Sequence, residues 1–532
     1  MRETIDICMT KVKQYHQNER LIMRTANNNL IDWEITIIPI VCISSMAFFF
    51  FVYPEQSNLL LGQIRSVLGD TFGSYYLLIG IGIFSISLYL AFSRYGDIIL
   101  GNKSEKPRYS FWTWGAMMFT CGLAADILFY SFSEWVMYAA DPHIAELGTI
   151  QNWAGVFSLF HWGFIPWAFY LVLAASFGFM LHVRKRNRQK FSEACRPLLG
   201  KMVDGKLGKL IDLFSVFALL AGTATTFSVA TPLMAVVVET LTGLQISRTL
   251  ITIGIIIITF AVYTYSLLYG IKGISHLSDW CMYLFLGLLV FVGLFCGENR
   301  YIIETGLQSF GTMVNHFIEL ATYADPLRTS SFPQNWTIYY WSYWMVWSIA
   351  APFFIGKISR GRTIRQLILG GYVFGVGSTC ISFIVLGNYS MGIQMTGQKD
   401  FISMYQSGVN IYDMIISMVY MMPHPMVVLA WLIITMIAFY ATSFDSIAFI
   451  ASCYSYHRLD EGSYPSRKIE FIWCVLLIVL PIALLFSESS MANIQSVSII
   501  AAFPLGIIMA IIIIGFIKDA GNFLMERHKS SS

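Results

Sequence analysis

Trp336, Tyr340, Tyr343, Trp344 and Trp347 stand at offsets of 0, 4, 7, 8 and 11, so one helix would carry all five rings on a single face. A basic run, Lys357, Arg360, Arg362 and Arg365, follows directly. A second cluster lies in FHWGFIPWAFY, where Trp162, Trp167 and Tyr170 fall within roughly 140° of helical arc and Pro166 separates the two halves. Faces of Trp and Tyr hold a cation that hydrogen bonds cannot satisfy, a quaternary ammonium above all, at about 0.5 to 2 kcal/mol per good contact. His161 beside them has no partner at metal-ligand spacing and reads as a hydrogen-bonded packing residue.

Three further stretches carry polar chemistry inside apolar sequence. In FTCGLAADILFYSFSEW, Gly122, Ala124 and Ala125 precede Asp126, a composition at which a helix opens and exposes backbone carbonyls in a protein-lined cavity. A carboxylate deep in a span costs several kcal/mol unless it is paired or functional, so Asp126 is either a working group or a structural hydrogen-bonding acid. In AFYATSFDSIA, Thr442 and Ser443 follow Phe439 by one turn, and Asp445 and Ser446 come next. Paired hydroxyls and opened-helix carbonyls are the oxygen ligands that sodium needs, although such hydroxyls commonly bond their own helix. The small, hydroxylated GTATTFS patch, Gly222 to Ser228, permits close helix packing and offers further oxygens.

The elements that must position these groups are transmembrane helices. With 532 residues, 56% of them hydrophobic and 12% charged, and a mean hydropathy of +0.63, the composition is that of an integral membrane protein. The net charge of +3 and the short basic clusters leave no nucleic-acid footprint. The cysteines show no metal-ligand spacing and read as packing residues. No nucleophile–base pair, metal cluster or nucleotide motif points to an enzyme. The polar amino terminus predicts no cleavable signal, leaving insertion to the first span.

Windows able to cross about 30 Å of hydrocarbon occur at 34–53, 74–95, 111–138, 152–182, 209–240, 248–269, 276–297, 335–357, 364–388, 424–453, 469–487 and 495–517. Lys and Arg concentrate in the amino terminus and in every second connection after it, from Lys103, Lys106 and Arg108 to Lys518, Arg527 and Lys529. That alternation predicts twelve spans in the plasma membrane with both termini cytoplasmic. On this count Trp336 to Trp347 reaches roughly 16 Å inward from the outer surface, Trp162 lies near the same depth, and Asp126 is roughly 22 Å from the inner end of its span. Interfacial aromatic belts stay at headgroup depth, so rings continuing to the midplane read as the wall of a pathway.

SRGRTIR, Ser359 to Arg365, directly after WTIYYWSYWMVW and together with FHWGFIPWAFY, resembles the betaine/carnitine/choline transporter family from the third span to the twelfth. The resemblance implies an all-α, LeuT-type fold: a cytoplasmic segment (1–33), two peripheral helices (34–110), five helices (111–297), an external amphipathic segment (298–333), five more helices in inverted repeat (334–518) and a cytoplasmic tail (519–532). It also implies homotrimers. By motif, Trp162, Trp167 and Tyr170 would form one side of a substrate box, and Tyr340, Tyr343, Trp344 and Trp347 the other. Phe439, Thr442 and Ser443 would hold sodium with the unwound third span at Leu123.

Three departures from the family pattern bear on substrate and coupling. Tyr343 stands where Trp is usual, so its hydroxyl either favours a more polar substrate or bonds a neighbour. Ser275, beside His276, stands where the sodium-independent exchangers have Arg. Asp126 stands where betaine carriers have Gly, and an acid there resembles the choline-transporting branch. The expectation is a secondary active importer of a quaternary ammonium compound, choline first and glycine betaine or carnitine second, coupled to sodium, or to protons through Asp126, with no cofactor. A precursor/product exchanger for carnitine-like substrates and a polytopic sensor are the alternatives.

Overall fold

Backbone N–H and C=O groups left unpaired in hydrocarbon cost several kcal/mol each, and this chain satisfies them with helices. A computed structural model describes residues 31–122, 124–186, 188–269, 272–457, 459, 465–486 and 491–531, with the side chains of 262–263, 265–269, 272–280, 441–442, 445–446, 486, 491–493, 528 and 530–531 outside the description. Among the described residues there is no β-strand, only two isolated bridges.

Helix occupies every one of the twelve apolar windows. The first span is Trp33–Val52 and the second Gly73–Phe92. The third is Phe111–Thr120 with Ala125–Ala139, and the fourth Ile150–His161 with Phe164–Gly178. Lys206–Thr242, Arg248–Tyr269 and Lys272–Phe295 are the fifth to seventh. The eighth is Ile338–Trp347 with Ala351–Ile358, and the ninth starts at Ile364 and runs to Met395. Pro425–Tyr454, Arg467–Phe486 and Met491–Ser531 complete the set. By length and apolarity alone, seven helices among the described residues qualify as spans, or nine with each bent pair taken as one. The chain is an all-α polytopic membrane protein.

The connections test the alternation of charge. Those after the second and eighth spans are tied together: Gly361 donates to the Leu100 carbonyl at 2.7 Å, Leu100 donates to that of Arg362 at 2.8 Å, and Arg360 pairs with Glu105. The Glu105 carboxyl is held below its usual range by the Asn102 N–H and the Arg360 guanidinium. Arg184 and Arg186, after the fourth span, grip Asp519 at 2.9 and 2.8 Å, and Lys190 reaches the Tyr454 carbonyl at 2.9 Å. Basic residues of the connections after the second, fourth and eighth spans thus hold the ends of neighbouring spans, the sixth connection lying outside the described residues. Among the described residues, odd-numbered connections also pair with one another: Arg328 with Asp70, Arg248 with Asp413 at 2.7 Å, and Gln308 donates to Asn152 at 2.8 Å.

The twelfth helix runs on through 519–531. Its polar end is held by the contacts of Asp519 and Glu526 with Arg184.

Burial divides the spans. The apolar window of the fourth is 89% buried and that of the fifth 83%, against 28% for the first, so the first is peripheral and the fourth and fifth are central. Helix Asn299–Asn315 turns 111° away from the end of the seventh span and lies against the Ile150–His161 half of the fourth, where Gln151 donates to Thr305 at 3.0 Å.

The third, fourth and eighth spans are each interrupted near their middles. The third bends by 68° between Thr120 and Ala125. A Cβ on Gly122 would lie 2.5 Å from Trp167 Cζ2, so only glycine lets that break seat against the indole. The fourth breaks at Trp162 and Gly163, where a Cβ on Gly163 would lie 2.4 Å from the Leu159 carbonyl oxygen. The eighth breaks over residues 348–350. The third and eighth spans are five apart, and Tyr343, one turn before the break of the eighth, donates to Asp126, just after that of the third.

Candidate substrate site

Trp344 is the centre of the ring cluster. Lying in the last turn before the break of the eighth span, it meets Trp162 at a centroid distance of 5.6 Å, Trp167 at 5.8 Å and Tyr170 at 5.0 Å. Tyr340, one turn earlier, meets Trp162 at 5.7 Å. The two aromatic faces thus meet, and their rings are at most 5% exposed. Thr379 of the ninth span fastens the fourth-span side, accepting from Trp167 Nε1 at 3.3 Å and donating to the Trp162 carbonyl at 2.7 Å. Trp347 is placed differently. Among the described residues it makes no ring contact with this cluster and lies toward the fifth span, where a Cβ on Gly222 would come within 3.4 Å of its Nε1.

Asp126 and Tyr343 belong to one chain of hydrogen bonds. Asp126 is 1% exposed and sits in the first turn of Ala125–Ala139, where the helix N-terminus favours negative charge. The Tyr343 hydroxyl donates to its Oδ2. A phenol has one hydrogen, so the Tyr343 oxygen accepts from Thr226 of the GTATTFS patch, its second partner. Of the two fates open to the Tyr343 hydroxyl, the structure shows the neighbour. Tyr343 also stacks on Tyr339 at 5.7 Å, whose hydroxyl pairs with that of Tyr130 at 2.8 Å, and the Tyr130 ring meets Trp162 at 5.6 Å. Asp126 is therefore joined to the cluster through hydroxyls and rings.

Glu134, a second buried carboxylate, was not singled out from the sequence. It is 0% exposed and accepts from Tyr138 at 2.7 Å and from Trp162 Nε1 at 3.3 Å. His161 bonds the Tyr138 hydroxyl through Nδ1 at 2.7 Å and Thr337 through Nε2 at 3.0 Å, and its ring stacks on Tyr340 at 4.9 Å. Neither carboxylate pairs with a Lys or Arg among the described residues. The signal for Glu134 was the one that marked Asp126, an acid inside an apolar span, eight positions further along the same segment.

The expected ion site is described only in part. Phe439 is buried and packs on Phe285 of the seventh span at 5.6 Å, and Ser443 is half-buried. Leu123 and the side chains of Thr442, Ser275 and His276 lie outside the described residues. Nearby, Phe227 of the fifth span stacks on Tyr440 at 4.4 Å and meets Phe444 at 4.1 Å, so this part of the tenth span faces the hydroxylated patch.

Comparison with known proteins adds a family to this geometry. A profile of the betaine/carnitine/choline family transporters matches residues 34–523. A carnitine transporter of Acinetobacter baumannii is 28% identical over 81% of this chain and 78% of its own length. The glycine betaine transporter of Bacillus subtilis is 28% identical over 90% and 92%. A high-affinity choline transport protein of Escherichia coli is 27% identical over 88% of this chain and 69% of its own.

Proposed function

The chain belongs to the betaine/carnitine/choline transporter family, and from that premise we propose that it is a secondary active importer whose preferred substrate is choline. Relatives named for carnitine, glycine betaine and choline are equally similar, so overall identity does not choose among them. The choice rests on Asp126, a buried carboxylate with no cationic side-chain partner among the described residues, tied by Tyr343 to a cluster of indole and phenol rings. Rings supply cation–π contacts for a quaternary ammonium. The carboxylate adds attraction for choline, a net cation, and repels the carboxylates of betaine and carnitine.

Trp162, Trp167, Tyr170, Tyr340 and Trp344 are the box, Tyr343 anchors Asp126, and Trp347 stands beside the box toward the fifth span. The rings lie in mutual contact, so admitting substrate requires the eighth span to part from the fourth at the Trp344–Trp162 contact. The broken third and eighth spans support alternating access by two five-helix units that rock around the site. The basic connections are cytoplasmic on this reading, with both termini in the cytoplasm of a plasma-membrane protein that assembles as a homotrimer. Sodium coupling would use Phe439, Thr442 and Ser443 with the opened third span at Leu123, and proton coupling would use Asp126.

Uptake of labelled choline, betaine and carnitine into proteoliposomes, with sodium and pH gradients imposed separately, tests the reading. Choline should accumulate most, and accumulation of betaine or carnitine in its place would overturn the preference. If sodium drives uptake, Thr442→Ala with Ser443→Ala should raise the sodium needed for half-maximal rate by about tenfold, the loss of roughly 1.4 kcal/mol of binding.

A further inference from the structure

Glu134 plays no part in the function just described, yet it is fully buried and takes hydrogen bonds from two spans. Tyr138 of its own helix and Trp162 of the fourth span donate to it, while His161 acts through Tyr138. Asp126, two helical turns earlier in the same helix, is the other carboxylate nearby.

The hydrogens along this chain have one consistent arrangement. Tyr138 donates to Glu134, so its oxygen must accept from His161 Nδ1–H. A neutral His161 then accepts at Nε2 from the Thr337 hydroxyl. Every donor therefore points toward Glu134, and Thr337 lies at the outer end of the eighth span. A histidine between two hydroxyls is the one side chain that takes a proton on one nitrogen while releasing one from the other.

We propose that Glu134 is a proton-binding site of the transport cycle, loaded from the outer side through Thr337, His161 and Tyr138, and that its occupancy sets the grip on Trp162. In the loading step Tyr138 gives its phenolic proton to Glu134 Oε1 as it takes the Nδ1 proton of His161. His161 takes the Thr337 hydroxyl proton on Nε2, and a hydronium ion on the outer side restores that of Thr337, leaving water. One proton enters, one carboxylate becomes a carboxylic acid, and no other group changes charge. Thr337 is 2% exposed, so water reaches it when the outer ends of the fourth and eighth spans part. The Trp162 N–H then faces a neutral acid, and a hydrogen bond to a charged group is roughly twice as strong as a neutral one. Loading therefore loosens the indole that closes on Trp344.

The proposal rests on the transport reading, and its test separates the two. Full-length protein is placed in proteoliposomes containing a pH dye, and choline, betaine or carnitine is added outside without sodium. Wild-type vesicles should acidify inside on addition of the transported compound. His161→Phe keeps a flat ring against Tyr340 without nitrogens, and should slow acidification by at least ~10-fold, the low range of a positioned proton-transfer group. Thr337→Val, which removes one hydroxyl, should slow it less. Infrared difference spectra between acid and alkaline buffer should show a carboxylic-acid band that Glu134→Gln removes. Substrate entry without acidification in the wild type, an unslowed His161→Phe, or a band that survives Glu134→Gln would each overturn the proposal. Loss of the band in Glu134→Gln from a protein that binds none of the three compounds would instead overturn the transport reading and leave the proton site standing.

Discussion

Asp126 and Glu134 lie on one helix, eight residues apart, and each takes a tyrosine hydrogen bond whose oxygen is fed by a further donor. Behind Asp126 the chain is short, Thr226 to Tyr343, and ends in the fifth span. Behind Glu134 it is longer, Thr337 to His161 to Tyr138, and contains a group with two exchangeable nitrogens. The contrast lies in what each chain can change. Two hydroxyls orient a carboxylate, whereas a histidine in the line adds a group that can pass a proton from one nitrogen to the other. Similar burial thus supports two tasks, recognition at one end and proton handling at the other.

The hardest test of that contrast removes what the two ends share. Trp344 touches Trp162, the ring bound to Glu134, and lies in the same helical segment as Tyr343, which is bound to Asp126. Trp344→Ala should lower uptake by more than ~100-fold, because it removes both a wall of the box and a buried ring whose loss costs about 3–5 kcal/mol. Uptake assayed beside membrane insertion checks this, and near-normal transport would remove the cluster from the substrate path. Trp347→Ala, outside the cluster, should stay within about 3-fold, less than 1 kcal/mol.

Next come the carboxylates separately. Asp126→Gly should lower the choline-to-betaine ratio of kcat/KM by at least about 10-fold, or 1.4 kcal/mol, because it deletes the charge that attracts one and repels the other. Glu134→Gln should leave that ratio within about 2-fold and flatten the pH profile of uptake instead. The comparison fails if both variants move the same quantity.

Tyr343→Phe probes how Asp126 is kept ionised in the absence of substrate. Deleting a hydrogen bond to a buried charge costs about 1.5–3 kcal/mol, so thermal stability should fall. Choline, by supplying positive charge, should then raise Tm by more in this variant than in the wild type. An equal choline-induced shift in both proteins would show that Tyr343 does not stand in for the cation.

Much of this was legible in the sequence, and the exceptions have physical causes. Hydropathy acts through the whole bilayer and follows from composition alone, which is why the twelve windows coincide with helices. The rings of Trp162, Trp167, Tyr170, Tyr340 and Trp344 meet as their spacing implied, because helical periodicity fixes direction around an axis. Contacts between distant helices were not readable. Tyr343 to Thr226 spans 117 residues and His161 to Thr337 spans 176, and no local pattern encodes them. Trp347 shows the limit of periodicity, since sharing a helix face with Trp344 did not bring it to the same neighbours. The twelfth helix outran its apolar window because ion pairs, which hydropathy does not count, hold its polar end.

The finest test of the contrast is Thr226→Val, which keeps the shape of the side chain and removes the donor behind Tyr343. Orienting hydroxyls act at second hand: without Thr226 the Tyr343 hydroxyl still reaches Asp126, although its rotation is less constrained. The cost should be that of one ordinary hydrogen bond, about 0.5–1.5 kcal/mol, read as a rise in choline KM of about 2- to 10-fold. The pH profile should not move, because no group in this chain carries a proton to Asp126 from outside. Thr337→Val is the matching change behind Glu134, and there the pH profile should move while choline KM should not. If the two threonine variants were interchangeable in both measurements, the two chains would be doing one job, and the division between recognition and proton handling would have to be abandoned.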